Sequence, residues 1–232
     1  KDQPALGRDA GEVAGMEKWG IAIVGDLRQA IGSGDVIIDF TNAESSLKNL
    51  QIAAEKGKSA VIGSTGFSAA QLEEVKGLTK KIPVVLSPNM SVGINVLFKT
   101  VADLAKILGD DFDVEVIEAH HRMKKDAPSG TAVKIGQILA RTLNRNYEEV
   151  AVFERKGMTG ERKKKDIGMQ TIRAGDIVGE HTVIFGGIGE RLEVTHRAHS
   201  RDNFARGAIR AVNWVVKQRP GLYDMQDVLG LK

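Results

Sequence analysis

The chain has 232 residues, 42% hydrophobic and 27% charged, with 33 basic and 30 acidic side chains and a net charge of +3. A globular chain of this length holds one large domain or two small ones, and so mild a positive balance suits an anionic small ligand better than nucleic acid. There is no cysteine, which removes disulfides, Cys-ligated zinc, iron–sulfur clusters and thiol catalysis, and no apolar run is long enough to span a bilayer. A reducing cytoplasm is the expected location. The chain opens on Lys1 rather than Met, so we read it as starting partway into a longer protein.

Residues 1–20 are rich in Gly and Asp and show weak periodicity. After them, short β-branched runs alternate with helical patterns. Asp35 to Phe40 predicts a strand. Ala43 to Lys56 predicts a helix with Leu47, Leu50 and Ala54 on one face, capped by Thr41 or Asn42. Ser59 to Gly63 reads as a strand, Ser68 to Lys80 as a helix and Ile82 to Leu86 as a strand. These apolar runs are continuous rather than alternating, which favours strands buried on both faces of a parallel sheet. Asp39 to Gly63 and Ser64 to Pro88 are each 24 residues apart, one βαβ step each.

Further on, Val92 to Leu108 predicts a long helix ending at Gly109, Phe112 to Ala119 a strand, and Ser129 to about Leu143 a helix. Val150 to Phe153, Gly168 to Arg173, Glu180 to Gly186 and Arg191 to His196 read as strands of a second, mixed and largely antiparallel sheet. Arg201 to Lys217 is an amphipathic helix stopped by Pro220-Gly221. A short apolar patch follows at Val228-Leu229.

Two constellations carry chemistry. The first is three strand ends: Asp39-Phe40-Thr41, Gly63-Ser64-Thr65-Gly66 and Ser87-Pro88-Asn89. In an open parallel sheet such loops face the ligand crevice. Gly, Ser and Asn also serve as ordinary turn and cap residues, but three such loops in register favour a ligand. The second runs from Glu118 to Ala132. Ser129 is a good N-cap, and the amides of Gly130 and Thr131 are free donors at the positive end of a helix, suited to a carboxylate or phosphate. His120, His121, Arg122, Lys124 and Lys125 lie just before it, so an acidic small molecule that must be protonated fits. Adjacent histidines on a strand point to opposite faces, so only one continues the face of Glu118. A zinc site from Glu118 and His120 with His181, His196 or His199 lacks the usual ligand spacing, and no metal is expected. Arg162-Lys163-Lys164-Lys165 has no interleaved aromatics and reads as a solvated loop. His196 to Arg201 reads as a polar loop capped by Ser200.

Glu-Ala-His-His-x-x-Lys-x-Asp-Ala-Pro-Ser-Gly-Thr-Ala, from Glu118 to Ala132, resembles the signature of the dihydrodipicolinate reductases, also called 4-hydroxy-tetrahydrodipicolinate reductases. Asp9 to Glu12, Val36 to Thr41, Gly63 to Phe67, Pro88 to Asn95, Arg173 to His181 and Phe204 to Ala208 resemble further segments of the same family. The resemblance implies a Rossmann-like parallel sheet plus a second α+β domain. It also implies reduction of 4-hydroxy-tetrahydrodipicolinate to tetrahydrodipicolinate with NADPH or NADH, toward diaminopimelate and lysine, in a homotetramer. It makes His120 the proton donor/acceptor and Lys124 the second donor. His121, Lys124, Gly130 and Thr131, with Ser129, would hold the substrate carboxylates. Gly63, Ser64, Thr65, Ser87, Pro88, Asn89 and Met90 would touch the cofactor, and Phe40 would line its nicotinamide side. Residues 1–90 with 201–232 are the expected nucleotide domain, and 91–200 the substrate and tetramerisation domain. The family's Gly-x-x-Gly-x-x-Gly turn does not occur in this sequence, and that first Gly-rich unit is expected before Lys1. Two other readings follow from the residues: a non-catalytic dicarboxylate-binding or oligomerisation module, and a nucleic-acid binder working through Arg162 to Lys165. Neither nucleic acid nor a membrane is an expected partner.

Overall fold

β-branched runs and capped helices alternate along the chain, as the sequence pattern predicts, but the expected burial on both faces fails for the first strand, Val36–Asp39, which is a sheet edge with Ile38 48% exposed. The computed structural model describes residues 3–232. By internal contacts the chain divides into two units. The first holds residues up to Ser87 together with Ala211–Asp224, and the second holds Pro88–Arg210 and Met225–Lys232.

The first unit begins with two short helices, α1 (Ala10–Val13) and α2 (Leu27–Ala30). Asp9 organises this segment: its carboxylate accepts the amides of Gly11, Glu12, Trp19 and Ile21. Two βα steps and a third strand follow as β1 (Val36–Asp39), α3 (Ala43–Glu55), β2 (Ser59–Ile62), α4 (Ala69–Leu78) and β3 (Pro83–Leu86). Asn42 caps α3, and Ser68 closes a capping box with Gln71 on α4. Leu50, Ala53, Ala60, Ile62, Val75, Ile82 and Val84 make the core.

In the second unit α5 (Val92–Leu108) and α6 (Gly130–Thr142) pack on a sheet built from β4 (Asp113–His120), β5 (Ala151–Val152), β6 (Ile167–Arg173), β7 (Gly179–Gly186) and β8 (Arg191–Ala198). The core joins Ile94, Leu97, Val101, Ile135 and Leu139 of the helices to Val114, Val116, Met169, Val183 and Phe185 of the strands. The order is β5-β6-β4-β7-β8. β4 and β5 pair with β6 in parallel, while β7 pairs antiparallel with both β4 and β8. The expected strand at Val150 to Phe153 is shorter than its apolar run. A helical turn, α7 (Tyr147–Val150), takes the first residue, and only Ala151 and Val152 pair.

Helix α8 (Asp202–Val215) belongs to the second unit through Arg210 and to the first from Ala211 on. The sequence reading missed the strand after it. β9 (Gly221–Tyr223) pairs in parallel with β3 and completes a four-stranded all-parallel sheet, β1-β2-β3-β9, in the first unit. Three residues behind a Pro-Gly stop carry too little periodicity to show as a strand. The apolar patch at Val228-Leu229 is α9 (Met225–Leu229), in the second unit, and Gln226 on it donates to the Asn95 carbonyl at 2.9 Å. Among the described residues no helix is long and apolar enough to cross a membrane.

Two glycines separate propensity from packing. Gly77 is exposed in α4 with open space around a would-be Cβ, whereas a Cβ on Gly207 would sit 1.8 Å from the Met90 carbonyl oxygen. Gly77→Ala should raise stability by about 0.5–1 kcal/mol. Gly207→Ala should lower it by about 1–3 kcal/mol through overpacking. Urea unfolding of both variants checks this; equal effects would contradict the packing.

Candidate active site

In the first unit the carboxyl ends of β1, β2 and β3 are fixed by one side chain. Asp39, at the end of β1, accepts hydrogen bonds from Thr41 N (2.9 Å), Thr41 Oγ1 (2.6 Å), Ser46 Oγ (2.9 Å) and Asn49 Nδ2 (2.8 Å). Burial alone would push its carboxyl up, but the bonds from Thr41, Asn49 and Ser46 outweigh burial and the net shift is downward. Ser64 Oγ lies 2.7 Å from Ser46 Oγ, so the loop after β2 is tied to the same anchor. Gly63 donates to the Asp39 carbonyl and Ser87 to that of Ile62, which brings the three loops to one end of the sheet. Phe40 is half-exposed, and its ring occupies the space a side chain on Gly63 would need, with Cε1 2.3 Å from a would-be Cβ. Thr65 is exposed. Ser64 and Ser87 are buried.

Three further residues expected at the cofactor lie in the second unit. Pro88 is exposed. Asn89 accepts from Ser91 N and donates to Thr131 Oγ1 at 3.1 Å. Met90 is 1% exposed, so it has almost no surface to offer a ligand.

The second constellation is assembled by strand register. Glu118 and His120, two apart on β4, point to the same face, the one covered by α5 and α6. The parallel ladder sets Thr171 beside Glu118 and Arg173 beside His120, and the antiparallel ladder sets His181 opposite Glu118. Glu118 is 1% exposed, and five groups donate to it. Oε2 takes His120 Nδ1 at 2.6 Å and Arg173 Nη1 at 2.8 Å; Oε1 takes Arg173 Nη2 at 2.8 Å, Ser129 N at 3.0 Å and Thr171 Oγ1 at 3.2 Å. Burial would raise this carboxyl, but the bonds from His120, Arg173 and Ser129 hold it down at about 2. His121 lies just past the strand, at the start of the loop.

Ser129 caps α6, with Oγ accepting from Ala132 N. The same hydroxyl lies 3.1 Å from His181 Nε2, so the buried Ser129 side chain is committed to the protein itself. The amides of Gly130 and Thr131 have no partner among the described residues, and Gly130 is exposed. Lys124 Nζ is held 2.9 Å from Asp126 Oδ1 on the same loop. The Ala127–Pro128 peptide is cis. The His181 ring stands edge-on to His120, centroids 5.3 Å apart. Burial, and next the nearby His120, lower His181 to about 3, so it stays neutral.

Sequence reasoning missed Arg173, Thr171 and the true role of His181, because their neighbours come from register, which no spacing along the chain encodes. The basic run is not simply solvated either. Arg162 binds Asp113 and Glu115 and the carbonyls of Val114 and Asp166, while Lys163, Lys164 and Lys165 are exposed. The expected polar loop at His196 to Arg201 is strand as far as Ala198, because His196, Arg197 and Ala198 pair with β7; with His199 and Ser200 they line a cavity of about 470 Å³ beside the start of α5, where His196 Nε2 lies 3.5 Å from Ser91 Oγ.

The family model described as dihydrodipicolinate reductase, N-terminus, matches residues 1–90, and the one described as dihydrodipicolinate reductase, C-terminus, matches residues 93–229. The chain belongs to the dihydrodipicolinate reductase family. The 4-hydroxy-tetrahydrodipicolinate reductase of Syntrophus aciditrophicus (strain SB) is 61% identical over 232 residues, all of this chain and 87% of that protein. The enzyme of the same name from Geotalea uraniireducens (strain Rf4) is 61% identical over 229 residues, 99% of this chain and 86% of that protein. The fold agrees with the dipicolinate-bound dihydrodipicolinate reductase from Paenisporosarcina sp. TG-14, with a TM-score of 0.71 at 24% identity over 91% of this chain and 80% of that one. As a member of a reductase family, the chain is an enzyme.

The buried groups set an acid limit on stability. His181 titrates near 6.5 when unfolded and near 3 when folded. Between those values the unfolded chain binds more protons, so stability falls as pH drops from about 6.5. Glu118, at 4.5 unfolded and about 2 folded, adds a loss of the same sign lower down. His181→Gln should flatten the decline between pH 6.5 and 4.5. Denaturant midpoints across that range test this, and an unchanged slope would contradict a neutral buried His181.

Proposed function

We propose that the chain reduces 4-hydroxy-tetrahydrodipicolinate to tetrahydrodipicolinate with NADPH or NADH, in the biosynthesis of diaminopimelate and lysine. The single observation that carries the mechanism is the junction from the end of β4 to α6. It places His120 at the strand end, and His121 and Lys124 in the loop, ahead of a helix N-terminus with two unpaired amides.

The substrate carries two carboxylates. The α6 terminus offers the amides of Gly130 and Thr131 to one, with the helix dipole adding positive potential. His121 and Lys124 supply counter-charge, which Asp126 keeps aligned until the substrate displaces it. Ser129 supports this pocket by holding the helix start rather than by touching substrate. His120 then gives the proton that completes reduction, and Lys124 is the second donor.

The strand ends of the first unit fit a nicotinamide nucleotide. Phe40 offers a half-exposed aromatic face, Gly63 leaves room for it, and the Gly63 to Thr65 loop is anchored through Ser64. Gly63, Ser64, Thr65 and Ser87, with Pro88, Asn89 and the backbone at Met90, would hold the cofactor there, with Phe40 on the nicotinamide side. When bound, that cofactor supplies the hydride.

The same reading makes the enzyme cytoplasmic and homotetrameric. The second unit supports assembly: on the sheet face away from α5 and α6, Ile117, Ile172 and Ile184 stand outside the core, and Ile172 is 47% exposed.

His120→Ala and Lys124→Ala should each lower kcat by about 10²- to 10⁴-fold with the fold intact. Lys124→Ala should also weaken binding of pyridine-2,6-dicarboxylate. Cofactor oxidation followed by absorbance, with circular dichroism as the folding control, measures both. Full turnover in His120→Ala, or dicarboxylate binding without any nucleotide affinity, would overturn the reading.

A further inference from the structure

We propose that Glu118 and Arg173 are a positioning pair for the acid–base histidine, fixing which ring nitrogen of His120 exchanges the proton and setting the charge it feels. This rests on His120 being the proton donor.

An ionised carboxylate 1% exposed to solvent is costly in lost hydration unless it is fully matched by donors. Glu118 is matched by an arrangement larger than a structural anchor for Ser129 needs. It sits 2.6 Å from His120 Nδ1, and Arg173 straddles both of its oxygens. An ionised carboxylate only accepts hydrogen bonds, so His120 must carry its proton on Nδ1 there. That leaves Nε2 as the atom free to trade a proton. The far side of the ring is kept clear by Gly179, where a Cβ would come within 3.1 Å of Nε2.

Arg173 performs two further tasks. Its Nη2 also donates to the Asp126 carbonyl at 2.7 Å, so one guanidinium holds both the carboxylate behind His120 and the loop that carries Lys124. It also partly neutralises Glu118. The imidazolium formed when His120 is protonated therefore meets an anion whose field is reduced but not cancelled. The charged and titratable groups beside His120 are Glu118 on its own strand, Arg173 as its ladder partner on β6, neutral His181 on β7 and His121 next in the chain; Asp126, paired with Lys124, is joined to this group through its carbonyl bond to Arg173.

The two partners act with opposite sign. Without the negative charge of Glu118, imidazolium is less stabilised. Without the guanidinium of Arg173, it is more stabilised. The pH profile of kcat therefore distinguishes positioning from mere support, since a support role would move neither limb in a charge-dependent direction. In Glu118→Gln the limb reporting His120 should move to lower pH, and kcat should fall by about 10- to 100-fold, less than on loss of His120 itself. In Arg173→Gln the same limb should move to higher pH. If Glu118→Gln does not fold, Arg173→Gln decides alone. Unshifted limbs, or shifts of the same sign in both variants, would overturn the proposal. Full turnover in His120→Ala would instead overturn the reading beneath it, whatever Glu118 does.

Discussion

A charge buried beneath the second sheet sets the terms for everything around it. Glu118 lies under α6 with almost no access to water, so each of its lone pairs has to find a donor within the protein. The donors are four residues from three elements: His120 two residues along the same strand, Thr171 and Arg173 from β6, and the Ser129 amide at the start of α6. None can move far without leaving a buried anion short of a partner. The parallel pairing of β6 with β4, the point where α6 starts and the orientation of the His120 ring are therefore parts of one solution.

The first unit solves a similar problem with the same chemistry. Asp39 at the end of β1 gathers Thr41, Ser46 and Asn49, and through Ser46 reaches Ser64. In both units a carboxylate near the carboxyl end of a strand is surrounded by donors from loops and helix starts. Those loops carry the residues we propose for the ligands. Anchoring them before a ligand arrives removes ordering costs at the moment of binding and keeps dipoles aimed where charge will develop.

The sequence exposed most of the elements because local rules governed them. Continuous apolar runs predicted β1, β2 and β3; Ser129 was expected as a cap and is one, Asn42 rather than Thr41 caps α3, and Ser68, expected as the first residue of its helix, caps α4. The long signature from Glu118 to Ala132 spans the end of β4, the loop after it and the start of α6. The reading failed where partners come from far along the chain. Gly221–Tyr223 becomes a strand only because β3 leaves an open edge beside it. Thr171, Arg173 and His181 look ordinary in sequence, and become neighbours of Glu118 only through ladders spanning more than fifty residues. Ser129 shows the opposite case: the cap was legible, but the His181 contact that occupies its hydroxyl was not.

The central claim is that a buried carboxylate dictates the proton position on His120. Nitrogen-15 NMR of the ring, recorded with long-range proton correlations at a pH where His120 is neutral, tests it most directly. The account predicts the Nδ1–H tautomer, with Nε2 unprotonated and facing the Gly179 side. An Nε2–H tautomer, or rapid exchange between the two, would contradict it.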